Sequence, residues 1–286
     1  MRCILLVFAA LILAGCDPFD FGPSDRFQAD FHYTLKPADR LSVENFNGNV
    51  EISGWDEASI DVTGVKYASV EENLNRIRID LHETPALTEI RAVRPDTFPG
   101  SMGARFLIHV PRKTALDRIV SSNGAIRVGN TTGGVDAQTS NGAIEIDSVS
   151  GELRLRTSNG RIRASGATAP CEVVTSNGPV TLGFTDAPAG PVRVRTSNGS
   201  VDVSLAKAPK NNIRLETSNG SITLELPADT AARLNAESSH SPIVSDFDVA
   251  GAKNHLEGNI GAGGPLIELH TSNGRIVVHR SPGGAN

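Results

Sequence analysis

Five arginines, Arg154, Arg156, Arg193, Arg195 and Arg214, occupy polar positions in segments where polar and apolar residues alternate. In an extended chain, residues two apart share a face, so these guanidiniums could form a stripe that holds an acidic polymer. Catalysis on a polysaccharide asks for something else: carboxylates clustered on one face, acting as acid and base or as calcium ligands. Here the polar positions mix in sign. One set of segments carries Arg127, Glu145, Arg163, Thr181 and Asp202, and the other carries Arg154, Glu172, Arg193 and Arg214. Opposite charges on neighbouring strands pair with each other and suit a solvated face. The histidines (His32, His82, His109, His240, His255, His270, His279) show no metal-ligand spacing. The glycine-rich run Gly258 to Pro265 lacks the Lys-Ser/Thr pair and the following helix of a phosphate loop, so it reads as a turn. Neither metal nor cofactor is expected, and the residues point to a protein that is not an enzyme.

The elements that must position these side chains come from a repeat. Ser-Asn-Gly recurs with its asparagine at Asn123, Asn141, Asn159, Asn177, Asn198, Asn219 and Asn273, spaced by 18, 18, 18, 21, 21 and 54 residues. Asn47, in Asn45-Phe46-Asn47-Gly48, opens the series with Phe46 in the serine place. In the last gap His240 takes the asparagine place, 21 residues after Asn219 and 33 before Asn273. After each Asn-Gly come alternating aliphatics (Ile144/Ile146, Ile162/Ala164, Val180/Leu182), and the alternation returns before the next (Leu153/Leu155/Thr157, Cys171/Val173/Thr175). One unit is strand, turn, strand, Asn-Gly turn. A fixed period near 20 residues marks a solenoid. The expected fold is all-β: a β-solenoid (β-helix) of stacked ~18–21-residue two-strand coils with an irregular N-terminal cap.

Asn-Gly is also a hairpin signal. The constant period favours stacking instead, because it lays each turn on its own kind. The asparagines 47, 123, 141, 159, 177, 198, 219 and 273 should then form a column whose amides bond rung to rung at about the 4.8 Å strand spacing. Asn and Gly would also tolerate the positive φ of a sharp corner. The threonine before each turn falls in phase with the inward aliphatics, so its methyl can pack while its hydroxyl bonds the turn backbone. After Phe106 only Phe184 and Phe247 remain as aromatics, too few for sugar-stacking platforms.

The N-terminus supplies an address. Arg2 and the apolar run Ile4 to Leu13 are too short to span a bilayer and read as a secretory signal. Leu13-Ala14-Gly15-Cys16 resembles a bacterial lipobox, which implies cleavage before Cys16 and its acylation, anchoring the protein to the membrane. Without the signal, 26 basic and 32 acidic residues leave a net charge of −6, which disfavours nucleic acid as a partner. Cys171 stands alone in an inward slot as a structural thiol. The expected organisation is a lipoprotein signal peptide (1–15), a tether (16–30), a cap with first coils (31–118), the repeat solenoid (119–280) and a tail (281–286).

Asn-x-Asn-Gly-x-Val-x-Ile at Asn45 to Ile52, the Val110-Pro111 strand end and the Thr-Ser-Asn-Gly repeats are followed by Leu226-Pro227-Ala228-Asp229. With the closing Gly258-Asn259-Ile260-Gly261, they make residues 30 to 280 resemble the DUF4097 adhesin-like β-solenoid family. The resemblance implies a stacked two-sided solenoid and carries no catalytic residues. It suggests a lipid-anchored envelope scaffold for protein or glycan contacts. The alternatives are an envelope-stress regulatory lipoprotein bound to a membrane protein and, more distantly, a polysaccharide-active β-helix enzyme.

Overall fold

The computed structural model of the chain describes residues 26–96, 100–168 and 170–281. The signal sequence, Cys16, most of the tether and the tail beyond residue 281 lie outside them. Two facing sheets of 12 and 13 strands run the length of the described chain. Each coil contributes one strand to each sheet. Leu153–Thr157, in the 13-stranded sheet, turns at Ser158-Asn159-Gly160 and continues as Ile162–Ala167 in the 12-stranded sheet. Successive coils pair parallel and in step, as Leu153 with Cys171 and Ile162 with Val180. Aliphatic and β-branched residues suit such half-buried strands. Between the sheets they merge into one core reaching from Leu35 to Val278. The chain is therefore a β-solenoid, as its period implies.

The coils do not stack in chain order. From the N-terminal end of the stack they run 87–111, 40–55, 115–129, then in sequence to 213–227, then 266–281, and last 232–245. At the C-terminal end the later coil, 266–281, lies inside its predecessor, and at the N-terminal end the later coil, 87–111, lies outside the one before it. The His240 coil, placed by spacing directly after Asn219, lies outermost, and the Asn273 coil takes its place. The reason is the corner. Thr271-Ser272-Asn273-Gly274 repeats the turn beneath it, whereas Ser239-His240-Ser241 brings a Cβ to the glycine place. At the end of the stack no further Ser-Asn-Gly corner has to fit over it, and Ser241 Oγ donates to Asn273 O at 2.9 Å.

The cap also departs from the solenoid rule. Phe27–Leu35 and Ile60–Ala68 pair antiparallel at the N-terminal end of one sheet, and Arg78–Glu83 pairs antiparallel with Leu87–Val93 at the end of the other. One short helix, Glu71–Leu74, links them. At the far end His255–Ile260 runs antiparallel to Ala232–Ser238. No helix among the described residues is long and apolar enough to cross a membrane.

Candidate functional site

The Ser-Asn-Gly corners line one side of the solenoid. The Nδ2 of each asparagine donates to the Oδ1 of the one beneath at 2.7–2.8 Å, in the order Asn273, Asn219, Asn198, Asn177, Asn159, Asn141, Asn123. Asn47 is not in this chain. Its Nδ2 donates to Met102 O at 2.8 Å, because coil 87–111 lies over it and has no Ser-Asn-Gly corner to offer. Just inside runs a second column, of hydroxyls. Thr157 Oγ1 accepts the N–H of its own Gly160 at 3.2 Å and donates to Gly142 O one rung below at 3.1 Å. Thr139, Thr175, Thr196, Thr217 and Thr271 do the same, with Ser121 and Ser238 at the ends.

The corner glycines serve a different purpose from the one expected. None of the repeat's Ser-Asn-Gly residues has positive φ; among the corner glycines only Gly48 of the cap, at +112°, does. They are glycines because a Cβ on Gly160 would sit 1.7 Å from Gly142 O. The left-handed positions fall at the opposite corner, at Asn130 (φ 57°), Ser148 (55°) and Gly166 (67°).

Asn159→Ala removes one donated and one accepted amide bond mid-column. It should lower stability by about 1–2 kcal/mol, read as a fall in denaturation midpoint, whereas exposed Arg163→Ala should stay within about 0.5 kcal/mol.

The outward faces hold the charged side chains. On the 13-stranded sheet Arg154, Glu172, Arg193 and Arg214 stand in register, followed by Glu268. Arg156 pairs with Glu172 at 3.1 Å, Arg154 with Glu152 at 2.7 Å, Arg195 with Glu216 at 3.9 Å, and Arg214 with both Glu216 and Glu268. The five arginines are thus interleaved with carboxylates instead of forming a continuous basic stripe. Only Arg193 of the five forms no ion pair among the described residues.

The larger concavity lies on the other sheet, where a groove of about 630 Å³ crosses the rungs from Glu51 to Thr181. Its floor is low because small residues, Ser53, Gly129 and Ser165, share one outward column with Asp147. Within it Glu145 accepts hydrogen bonds from Arg161 (2.7 Å) and Arg127 (2.9 Å). The Arg161 bond, aided by Arg127 and opposed by partial burial, holds its carboxyl below the usual carboxylate range. A carboxylate so held accepts hydrogen bonds and is a poor proton donor. Asp147 accepts from Ser165 Oγ at 2.8 Å and from Ser148 Oγ at 3.1 Å. Arg163, on the same wall, has no ion-pair partner among the described residues. Sequence reading placed Arg127, Glu145 and Arg163 on an outward face but missed the groove. The column of small residues was the signal that could have found it.

Two other features bear on chemistry. Burial pushes the Cys171 thiol up to about 12, leaving it unreactive within the core. Among the described residues no three His, Cys, Asp or Glu side chains gather as a metal ligand set.

A parallel two-sheet solenoid with solvated polar faces and a trough along one of them defines the class of this protein. The chain matches the Toastrack DUF4097 family over residues 33–279 and belongs to it. Crystal structures with similarity to it include a candidate cell adhesion protein from Clostridium sporogenes, at 14% identity, covering 89% of this chain and 100% of that one, with a TM-score of 0.32. A candidate adhesin from Bacteroides fragilis has 13% identity, coverages of 91% and 99%, and a TM-score of 0.46. Another from Parabacteroides merdae has 11% identity, coverages of 89% and 97%, and a TM-score of 0.49. Among curated proteins none matches the chain.

Proposed function

We propose that this protein is a lipid-anchored β-solenoid of the bacterial cell envelope, a non-enzymatic, adhesin-like scaffold that engages a glycan or protein along its 12-stranded sheet. The observation that carries the reading is the groove. It is open and carries charged side chains, it crosses successive rungs about 4.8 Å apart, and it combines Arg163, whose guanidinium has no ion pair among the described residues, with carboxylate acceptors held in place by Arg127, Arg161 and Ser165. Such a row suits an extended hydroxyl-rich chain, whose successive units meet one rung each. Membrane attachment rests on Leu13-Ala14-Gly15-Cys16.

Three measurements test the proposal. Crosslinking in intact envelopes, with the full chain also applied to a glycan array, should identify a glycan or envelope protein whose capture falls several-fold in Arg163→Ala at unchanged melting temperature. Polysaccharide turnover that disappears in Glu145→Gln would replace the scaffold with an enzyme. Cys16→Ala should leave the chain unacylated and in the aqueous phase on detergent partitioning. Retention in the detergent phase would remove the anchor from the proposal.

A further inference from the structure

The two ends of the solenoid are finished differently. At the C-terminal end of the stack the sheets stop at Ile243–Ser245, three residues, and Gly251–Ala252, two residues. Edges that short offer little to pair with. At the other end the 12-stranded sheet stops at Phe27–Leu35, nine residues with no Lys or Pro, joined to Ile60–Ala68 along one side only. From Ala29 onward its other side presents a row of backbone donors and acceptors without a strand partner among the described residues. The inter-sheet space is also incompletely closed there: Phe31 and Tyr33 from this strand, and Ile79 and Leu81 from the opposite sheet, pack on the core yet stay partly exposed.

We propose that this edge pairs with its own copy. Phe27–Leu35 of one molecule lies antiparallel to the same strand of a second, about a two-fold axis at Phe31. In that register Phe31 meets Phe31, Ala29 meets Tyr33, Gln28 meets Thr34 and Asp30 meets His32, inward residues with inward and outward with outward. The axis repeats the acid–histidine pair twice. Asp30 is exposed and forms no ion pair among the described residues. His32 Nε2 lies 2.7 Å from Asp61 Oδ1, which leaves Nδ1 for the second copy's Asp30. Moving the axis to Tyr33 sets Pro37, which has no N–H, against Ala29. Moving it to Ala29 sets Arg26 against His32. The other sheet's edge at this end, Arg78–Glu83, carries the same order of types in Asp80-Leu81-His82. The 13-stranded sheet ends one strand short of Phe27–Leu35 at this end, so the contact between copies is carried by Phe27–Leu35.

The test uses the full chain carrying Asp30→Cys and His32→Cys together under mild oxidation. Two residues apart on one strand, the introduced thiols are about 6.6 Å apart at Cα and face the same way, poorly placed to bond each other. Opposite positions of an antiparallel pair fall within disulfide reach. A covalent dimer is expected, its disulfides mapped by peptide mass as joining position 30 of one copy to position 32 of the other, while Gln28→Cys alone stays monomeric. With the native cysteines only, Asp30→Lys should raise the dimer dissociation constant roughly tenfold, since the two-fold removes the acid–histidine pair twice, and Asp30→Glu should preserve it. The proposal is overturned by light scattering that shows monomer at every concentration, or by disulfides spread equally over the 30–30, 32–32 and 30–32 pairings. Edge amides protected from exchange in dilute monomer would also overturn it, because the chain would then cover its own edge.

Discussion

Gly160→Ala should lower the melting temperature by roughly 10 °C or more, a loss of about 4 kcal/mol. The substitution is the smallest possible, and the glycine has no unusual backbone angle to protect. What forbids the methyl is the rung beneath, where a Cβ would lie 1.7 Å from Gly142 O, 2.5 Å from its carbonyl carbon and 3.0 Å from the backbone N of Ala143. None of those atoms is a flexible side-chain end. Relief would require opening the stack, and that would stretch the Asn159 to Asn141 amide bond and the Thr157 bond to Gly142 O together. Gly183→Ala is the control. Its Cβ would meet nothing closer than Ser204 Oγ at 3.7 Å, so it should melt near the parent. Equal melting temperatures for the two variants would refute the close-approach account.

Thr157→Val should cost about 2–4 kcal/mol, although it keeps the shape and adds apolar surface. The hydroxyl it deletes accepts the Gly160 N–H and satisfies Gly142 O. Thr157 and Gly160 are buried, so both backbone groups would lose a partner where water has little access. Thr157→Ser should recover most of the loss, because the end rungs already use Ser121 and Ser238 in this role. Denaturant midpoints for the three proteins check the order. If Val melts with the parent and Ser below it, the methyl matters and the hydroxyl does not.

Both predictions rest on features the sequence displays only in part. The spacing of Asn123 to Asn219 and the alternation of aliphatics revealed two-sided coils, because a stacked turn must recur at a near-constant interval and a half-buried strand must alternate. The glycine beside each asparagine was visible, but its reason was not: positive φ and close approach select the same residue, and only coordinates separate them. Asn47 shows the same limit. It has the right neighbours, yet its amide turns to Met102 O because a strand from 55 residues further on lies over it.

What the sequence determined by itself is the periodic part: strands, corners, inward threonines, the mixed-sign outward faces and the lone buried Cys171. These follow from local pattern, which every coil repeats and each neighbour reinforces. Only the tertiary structure decided the order of the terminal coils, the placement of His240 at the end of the stack, the groove between Glu51 and Thr181, and the position of Phe27–Leu35 as the last strand of its sheet. Each of those depends on which strand lies beside which. Hydrogen bonding between backbones is nearly indifferent to residue type, so it leaves little trace in the sequence until a corner or an edge makes one neighbour fit better than another.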